Sequence, residues 1–285
     1  VASSKDRQRK LARAKLDRQM ARRANKERRR RRVLAGVGSA VAVVLIAAGV
    51  AWAAGAFDSD DSPTNAADQD ICAWTPQSAT SNTNLKDVGT PPTKGIPTSG
   101  TQTMTVTTNE GAPIVVTLDN STAPCGSADL AYLASKNFYD NSDCHEITTY
   151  GALHCGDPTG TGLGGPTYSV YNENTPQAPD PSPSGAPAAP KTPLYPKGTV
   201  ALIGNPPGAN GSQFLIFFKD YTPTDDTQYS VVGAVTGGMD TVTKISKIPT
   251  TDDSAGQKVK PTQKITIKTL TVGASGAAPA ASTQS

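Results

Sequence analysis

Beyond residue 32 this chain has no arginine. All 11 arginines lie in residues 1–32, where 15 Lys+Arg stand against 3 acids, while residues 33–285 carry 12 lysines and 21 acids. The formal +3 of the 285 residues is therefore a basic head of +12 joined to an acidic body of −9. That division excludes a uniformly basic nucleic-acid binder. The head interleaves no aromatic residue with its charges, so no nucleic-acid partner is expected. Histidine is also scarce, with only His145 and His154, and none of the four cysteines, Cys72, Cys125, Cys144 and Cys155, stands at CxxC spacing. Such a set does not predict a zinc framework, and no other metal or cofactor is expected. The Gly156–Gly165 loop follows neither Walker nor dinucleotide spacing and has no lysine, so it reads as turn geometry.

What is present begins with a long apolar run, Val33–Phe57, 25 residues without a charge. At ~1.5 Å per residue such a helix reaches ~37 Å, enough for a hydrocarbon core of ~30 Å with some tilt. A cleaved signal has a shorter apolar region and fewer charges before it. An uncleaved transmembrane helix is expected instead, with residues 1–32 as a cytoplasmic arm and residues 58–285 outside the membrane. The arm would also attract anionic lipid headgroups. All four cysteines fall on the outer side, where disulfides persist, and two bridges are expected.

In the outer part, residues 58–100 are rich in Ser, Thr, Asn, Asp and Pro and read as a stalk, with Cys72-Ala-Trp74 as its one sticky point. Residues 101–273 read as a packed, mainly β domain. Gln102–Thr107 alternates as a strand, Asn109–Pro113 turns and Ile114–Leu118 returns, which predicts a hairpin. Ser127 is placed to cap a short helix with Leu130, Leu133 and Ala134 on one face. Later strands are predicted at Val200–Ile203, Gln213–Phe218, Tyr229–Val235 and Ile265–Val272, with a second short helix at Met239–Ile245. Their short apolar runs between turn residues suit a sandwich or barrel. Pro176–Pro196 has 8 prolines in 21 residues and predicts an exposed, extended loop that buries almost nothing. The 274–285 tail is not expected to fold.

Several strings stand in the order expected of a cyclophilin. Asn137-Phe-Tyr-Asp-Asn141 with Cys144-His145 resembles the family's NFYD...FHR stretch, and Cys155–Gly165 is similar to its GGDPTGTGTGG loop. Asn205–Ile216 resembles AN...NGSQFFI, while Tyr229–Gly233 and Gly238-Met239-Asp240 are similar to HVVFG and GMD. The likeness covers about Thr101–Val272 and is greatest to the actinobacterial membrane-anchored subgroup. It implies a closed β-barrel with two short helices, preceded here by the transmembrane helix, and peptidyl-prolyl isomerase activity. The family fold also implies the pairings Cys144–Cys155 and Cys72–Cys125.

Rotation of an X–Pro amide faces a barrier of about 20 kcal/mol. In this family the arginine after the histidine is understood to donate a hydrogen bond to the imide nitrogen as it becomes pyramidal. The resemblance puts Glu146 there, and an ionised carboxylate accepts without donating. No tryptophan answers the family's pocket tryptophan, and Gly151, Ala152, His154, Leu215 and Tyr229 stand where the family has Phe, Met, Gln, Phe and His. The residues implied to touch substrate are His145, His154, Asn205, Gln213, Phe214, Leu215 and Tyr229. Two functions follow: a monomeric, tethered isomerase for Pro-containing segments of secreted or envelope proteins, or a degenerate relative that binds such segments without useful catalysis. The Pro176–Pro196 loop is also a possible polyproline ligand for a partner. In either case the native chain is expected to stay with membranes through a high-salt or alkaline wash, its outer part removed by protease on intact cells; recovery in the salt-soluble fraction would contradict the anchor.

Overall fold

The computed structural model describes residues 69–177, 193–225 and 228–273. The arm, the Val33–Phe57 span, most of the Pro-rich loop and the 274–285 tail lie outside the described residues. Among the described residues no helix is long and apolar enough to cross a membrane.

In chain order the elements are β1 Thr75–Pro76, β2 Leu85–Lys86, β3 Thr101–Thr108, β4 Ile114–Asp119, α1 Pro124–Ser135, β5 Ser142–Asp143, β6 Glu146–Ile147, β7 Ala152–Cys155, β8 Gly165–Pro166 and β9 Tyr168–Tyr171. They continue with β10 Thr199–Gly204, β11 Ala209–Phe217, β12 Ser230–Gly237, α2 Met239–Ile245, β13 Thr250–Asp252, β14 Lys258–Pro261 and β15 Thr266–Gly273. The predicted hairpin is β3–β4, in register from Thr101↔Asp119 to Val106↔Ile114. Its period-2 pattern sends Met104, Val106, Ile114, Val116 and Leu118 inward.

The main sheet runs β6–β7–β11–β10–β12–β4–β3–β15–β5 through antiparallel pairs. The expected closed barrel is therefore a curled sheet. Among the described residues no backbone ladder joins β5 to β6; the chain itself joins them through Cys144 and His145. The inner face, covered by α1 through Leu130, Leu133 and Ala134, forms the main core with Phe138, Tyr139, Leu153, Val200, Leu202, Phe214, Ile216 and Val232.

Helix α1 starts three residues before the predicted cap. Pro124 opens it, its fixed φ being suited to the first turn. Ser127 lies buried inside, and the free N–H groups of Cys125 and Gly126 donate to the Glu173 carboxylate at 3.0 and 2.8 Å. The cap comes from a residue 47–48 positions away, beyond any local signal.

Over its described part, the predicted stalk is a strap laid on the domain. β1 pairs with β9, and β2 pairs in parallel with β8. The Trp74 ring meets Tyr168 edge-on at 5.6 Å, and Cys72, Ile96, Cys125 and Val170 make a small core of their own. The Cys72–Cys125 disulfide fastens the strap to α1. The Pro-rich stretch likewise ends in packing: Tyr195 is fully buried, because it pairs with Tyr221 and stacks on Phe217.

Asp129 is fully buried on α1. Its Oδ1 accepts the Tyr168 hydroxyl at 2.6 Å, while Oδ2 and the Tyr139 hydroxyl have no partner. Burial raises the carboxyl to about 8 against the smaller opposing pull of the Tyr168 hydrogen bond. The folded chain thus keeps a proton that the unfolded chain releases near pH ~4. The stability tied to it is complete below that pH and lost as pH rises toward about 8, at up to ~1.4 kcal/mol per unit. Asp129→Asn should raise the urea midpoint at pH 7.5 and leave it near the parent value at pH 4; curves parallel across that window would exclude Asp129 as the titrating group.

Candidate functional site

The turn between β6 and β7 sets Glu146 opposite His154, and β11 sets Leu215 on the other side of His154. Ala201 of β10 continues the row beyond Leu215. Side chains alternate along β7, so Leu153 and Cys155 join the inner core while Ala152 joins an outer cluster, with His154 on its face. β11 alternates in the same way, with Phe214 and Ile216 inward and Leu215 and Phe217 outward. Phe214 therefore takes no part in an outer groove. It is fully buried and meets Tyr139 edge-on at 6.0 Å.

The Cys144–Cys155 disulfide forms as the resemblance implies, with Cα atoms 4.0 Å apart, and Cys72–Cys125 likewise at 5.5 Å. The first bridge ties the β5–β6 corner to the end of β7. It brings the His145 and His154 ring centroids to 4.3 Å. The His154 Nδ1–H donates to Glu146 Oε2 at 2.8 Å. Burial, and next the neighbouring His154, push His145 down to about 4, so its imidazole is neutral at physiological pH. Both ring nitrogens of His145 and Nε2 of His154 are buried without a hydrogen-bond partner. The three residues offer ligand atoms that lie within 4.8 Å of one another, a grouping that the absence of CxxC spacing did not foreshadow.

Farther along the outer face, Leu215, Ala152, Ala201, Phe217, Tyr195 and Tyr229 pack together, with Tyr150 and Tyr221 against them. The Tyr229 N–H donates to the Tyr195 hydroxyl at 2.8 Å, and its own hydroxyl donates to that of Tyr150 at 3.3 Å. Sequence reading found Tyr229 and Leu215 but missed Tyr150, Tyr195 and Tyr221. These three sit in turns or beside the Pro-rich loop, where no strand period marks them.

A loop divides two clefts. One, of about 480 Å³, lies under the strap and is bordered by Gln77, Leu85, Asn205 and Gln213. The other, of about 1130 Å³, is bordered by His145, Glu146, His154 and the β13–β14 region. Asn205 is exposed at the rim of the first, just before a cis Pro206. Gln213 was expected to donate to a substrate carbonyl. Its two amide hydrogens instead go to the Gly162 and Gly164 carbonyls at 3.0 and 2.8 Å. The dividing loop turns around Asp157, whose carboxylate accepts from the N–H groups of Thr159, Thr161, Gly162 and Gly164. Burial works to raise its pKa, but these hydrogen bonds together outweigh burial and leave it lowered. At Gly156, where φ is +95°, a Cβ would stand 2.2 Å from the Ser212 carbonyl oxygen, so only glycine lets the loop leave β7 this close to β11.

A curled antiparallel sheet with a helix over its core, and a groove on the outer face of β6, β7 and β11, defines a cyclophilin-like domain. The family described as cyclophilin type peptidyl-prolyl cis-trans isomerase/CLD matches residues 103–272, and the chain belongs to it. It is 35% identical over 186 residues to a probable peptidyl-prolyl cis-trans isomerase B of Mycobacterium leprae, an alignment covering 63% of this chain and 60% of the relative. A protein of the same description from Mycobacterium tuberculosis is 32% identical over 191 residues, with 65% and 59% covered. The chain thus spans about three-fifths of the length of these relatives. Among solved structures it is similar to a cyclophilin type peptidyl-prolyl cis-trans isomerase of Cryptosporidium parvum, with a TM-score of 0.47 and 23% identity over 60% of this chain and 97% of the other.

Asp157→Ala would leave four N–H groups without their acceptor. It should lower stability by about 2–4 kcal/mol, read as a lower urea midpoint at unchanged slope; a midpoint within ~0.5 kcal/mol of the parent would show that water replaces the carboxylate.

Proposed function

We propose that the chain is a prolyl isomerase tethered through Val33–Phe57 on the extracytoplasmic face, acting on Pro-containing segments of secreted or envelope proteins as they fold. Family membership across residues 103–272 supports the isomerase part of this reading; the tether rests on the 25 uncharged residues of Val33–Phe57 after a basic head. The relatives' printed names support it, as does the outer-face row of Glu146, His154 and Leu215 at the groove.

The chemistry asks for an apolar seat for the proline ring and a donor for the nitrogen of the twisted imide. Leu215, Ala152 and Tyr229 lie on that face but are packed shut, the first two fully buried and Tyr229 7% exposed, so a proline ring is seated only if the outer tyrosines give way. The donor is what the site lacks, because Glu146 can only accept and its Oε2 is already engaged by His154. Catalysis in this chain rests on the binding of a distorted proline alone, so turnover is slow. That hydrogen bond also favours a second reading, a binding module that holds extended Pro-containing segments with little rate enhancement.

A protease-coupled assay on the full chain in detergent micelles separates the two. The isomerase reading expects a rate above buffer, raised by up to roughly 100- to 1000-fold by Glu146→Arg combined with His154→Gln, the size typical of one positioned donor. Parent and double variant both at the buffer rate, with a Pro-containing peptide still shifting resonances of Leu215 and Tyr229, would leave the binding module; no shift would remove both.

A further inference from the structure

We propose that His145, His154 and Glu146 form a binding site for one divalent transition-metal ion of the zinc type. The proposal is independent of the isomerase reading, since it rests on the donor atoms alone. Buried polar atoms almost always find partners, yet three ring nitrogens, Nδ1 and Nε2 of His145 and Nε2 of His154, are buried with none, and His154 is only 7% exposed. Two imidazoles and a carboxylate converge, their ligand atoms within 4.8 Å of one another. Nitrogens bound at ~2.0–2.1 Å around a tetrahedral ion lie ~3.4 Å apart, so side-chain rotation of about 1–1.5 Å closes the set.

The backbone holds these residues in place before any ion arrives. Glu146 and His154 are register partners across β6–β7, and the Cys144–Cys155 bridge fixes the corner that carries His145. The same bridge removes both thiolates from the donor pool, leaving one nitrogen from each imidazole, while the Glu146 carboxylate holds the His154 Nδ1–H and so aims its Nε2. That set suits zinc, copper or nickel over calcium and magnesium, which prefer all-oxygen shells. The cleft of about 1130 Å³ supplies an entry path; its walls carry Asp143, Asp252 and Asp253 against Lys260 and Lys264, with Lys264 paired to Asp143 at 3.1 Å. Two protein nitrogens leave coordination positions open toward that cleft, where a bound ion can polarise a carbonyl or a water.

The test uses the untagged full chain, stripped of metal, in detergent micelles at pH 7.5. Calorimetry with Zn²⁺ should give one equivalent bound with a micromolar or smaller Kd. His145→Ala and His154→Gln should each weaken it at least ~100-fold, and Glu146→Gln roughly 10-fold, as for a ligand or an orienting carboxylate. Undiminished binding in the His145→Ala/His154→Gln pair would overturn the proposal, because the ion would then sit elsewhere. Should a variant lose its fold by circular dichroism, the parent still decides. The chain has two histidines, so the ring ¹⁵N resonances of both should move at one equivalent of Zn²⁺, and unchanged ring resonances at saturation would overturn the assignment.

Discussion

The two-residue corner at Cys144 and His145 governs the geometry of this domain. The strands at the two ends of the hydrogen-bonded sheet, Ser142–Asp143 and Glu146–Ile147, are neighbours in sequence, so the sheet is closed by covalent chain where the ladder stops. An open edge there would expose unpaired backbone groups. The corner avoids much of that cost: the Cys144 N–H donates to the Ile265 carbonyl at 2.8 Å, and Glu146 and Ile147 pair with β7. The Cys144–Cys155 bridge then fixes the position of the corner over β7. His145, Glu146 and His154 meet because of it, so the chemistry of the outer groove follows from how the chain turns between the ends of the curled sheet.

The two faces of the sheet solve different packing problems. The inner face is filled mainly by aliphatic residues, with Phe138, Tyr139, Tyr168 and Phe214 among them, under α1. The outer face, beside the site, is filled by tyrosines. Gly151, Ala152 and Leu215 stand where the family resemblance has larger side chains; the Lys219 stem occupies the space beside Gly151, and Ala152 and Leu215 pack with Tyr150, Tyr195, Tyr221 and Tyr229. Tyr150 stacks on Tyr221 at 4.7 Å, and Tyr195 on Phe217 at 5.1 Å. Tyrosine suits this position because the ring buries area while the hydroxyl keeps a partner; the Tyr195 hydroxyl donates to the Tyr229 carbonyl and accepts from the Tyr229 N–H. The same rings narrow the space open to a proline.

Much of this was legible in sequence wherever side-chain period or an ordered motif spoke directly. The β3–β4 hairpin, helix α2 at Met239–Ile245 and the strands beginning near Thr199, Ser230 and Thr266 lie within a few residues of their predicted bounds. Both disulfides follow the pairing that the family resemblance implied. What escaped depends on contacts between distant segments. The Ser- and Thr-rich strap lacks a period of its own and is ordered by β1–β9 and β2–β8 pairing. Glu173 caps α1 from the end of β9, and Gln213 turns its amide toward the loop carbonyls. β11 begins at Ala209, ahead of the predicted Gln213, because Ala209 and Asn210 are drawn into pairing with β9 and Asn210 with β10.

The site also shows why its substitutions are best read as one change. Glu146, with its side chain 27% exposed, would be a half-buried carboxylate on an apolar face if it stood alone, which is costly without a donor. The residue directly opposite it in register is His154, whose N–H supplies that donor at 2.8 Å. An arginine at 146 would instead place a guanidinium against the imidazole N–H, donor facing donor. A glutamine at 154 would lose the imidazole nitrogen left free on the far side. Glutamate and histidine therefore form a self-consistent pair that replaces a hydrogen-bond donor aimed at substrate with a closed donor–acceptor contact. The pair leaves two unpartnered ring nitrogens on His145 and one on His154, all turned to no protein acceptor. The electrostatics of the groove are thus inverted at one register position and balanced at the next, and the domain keeps its fold while the character of its outer face changes from cation-bearing to cation-accepting.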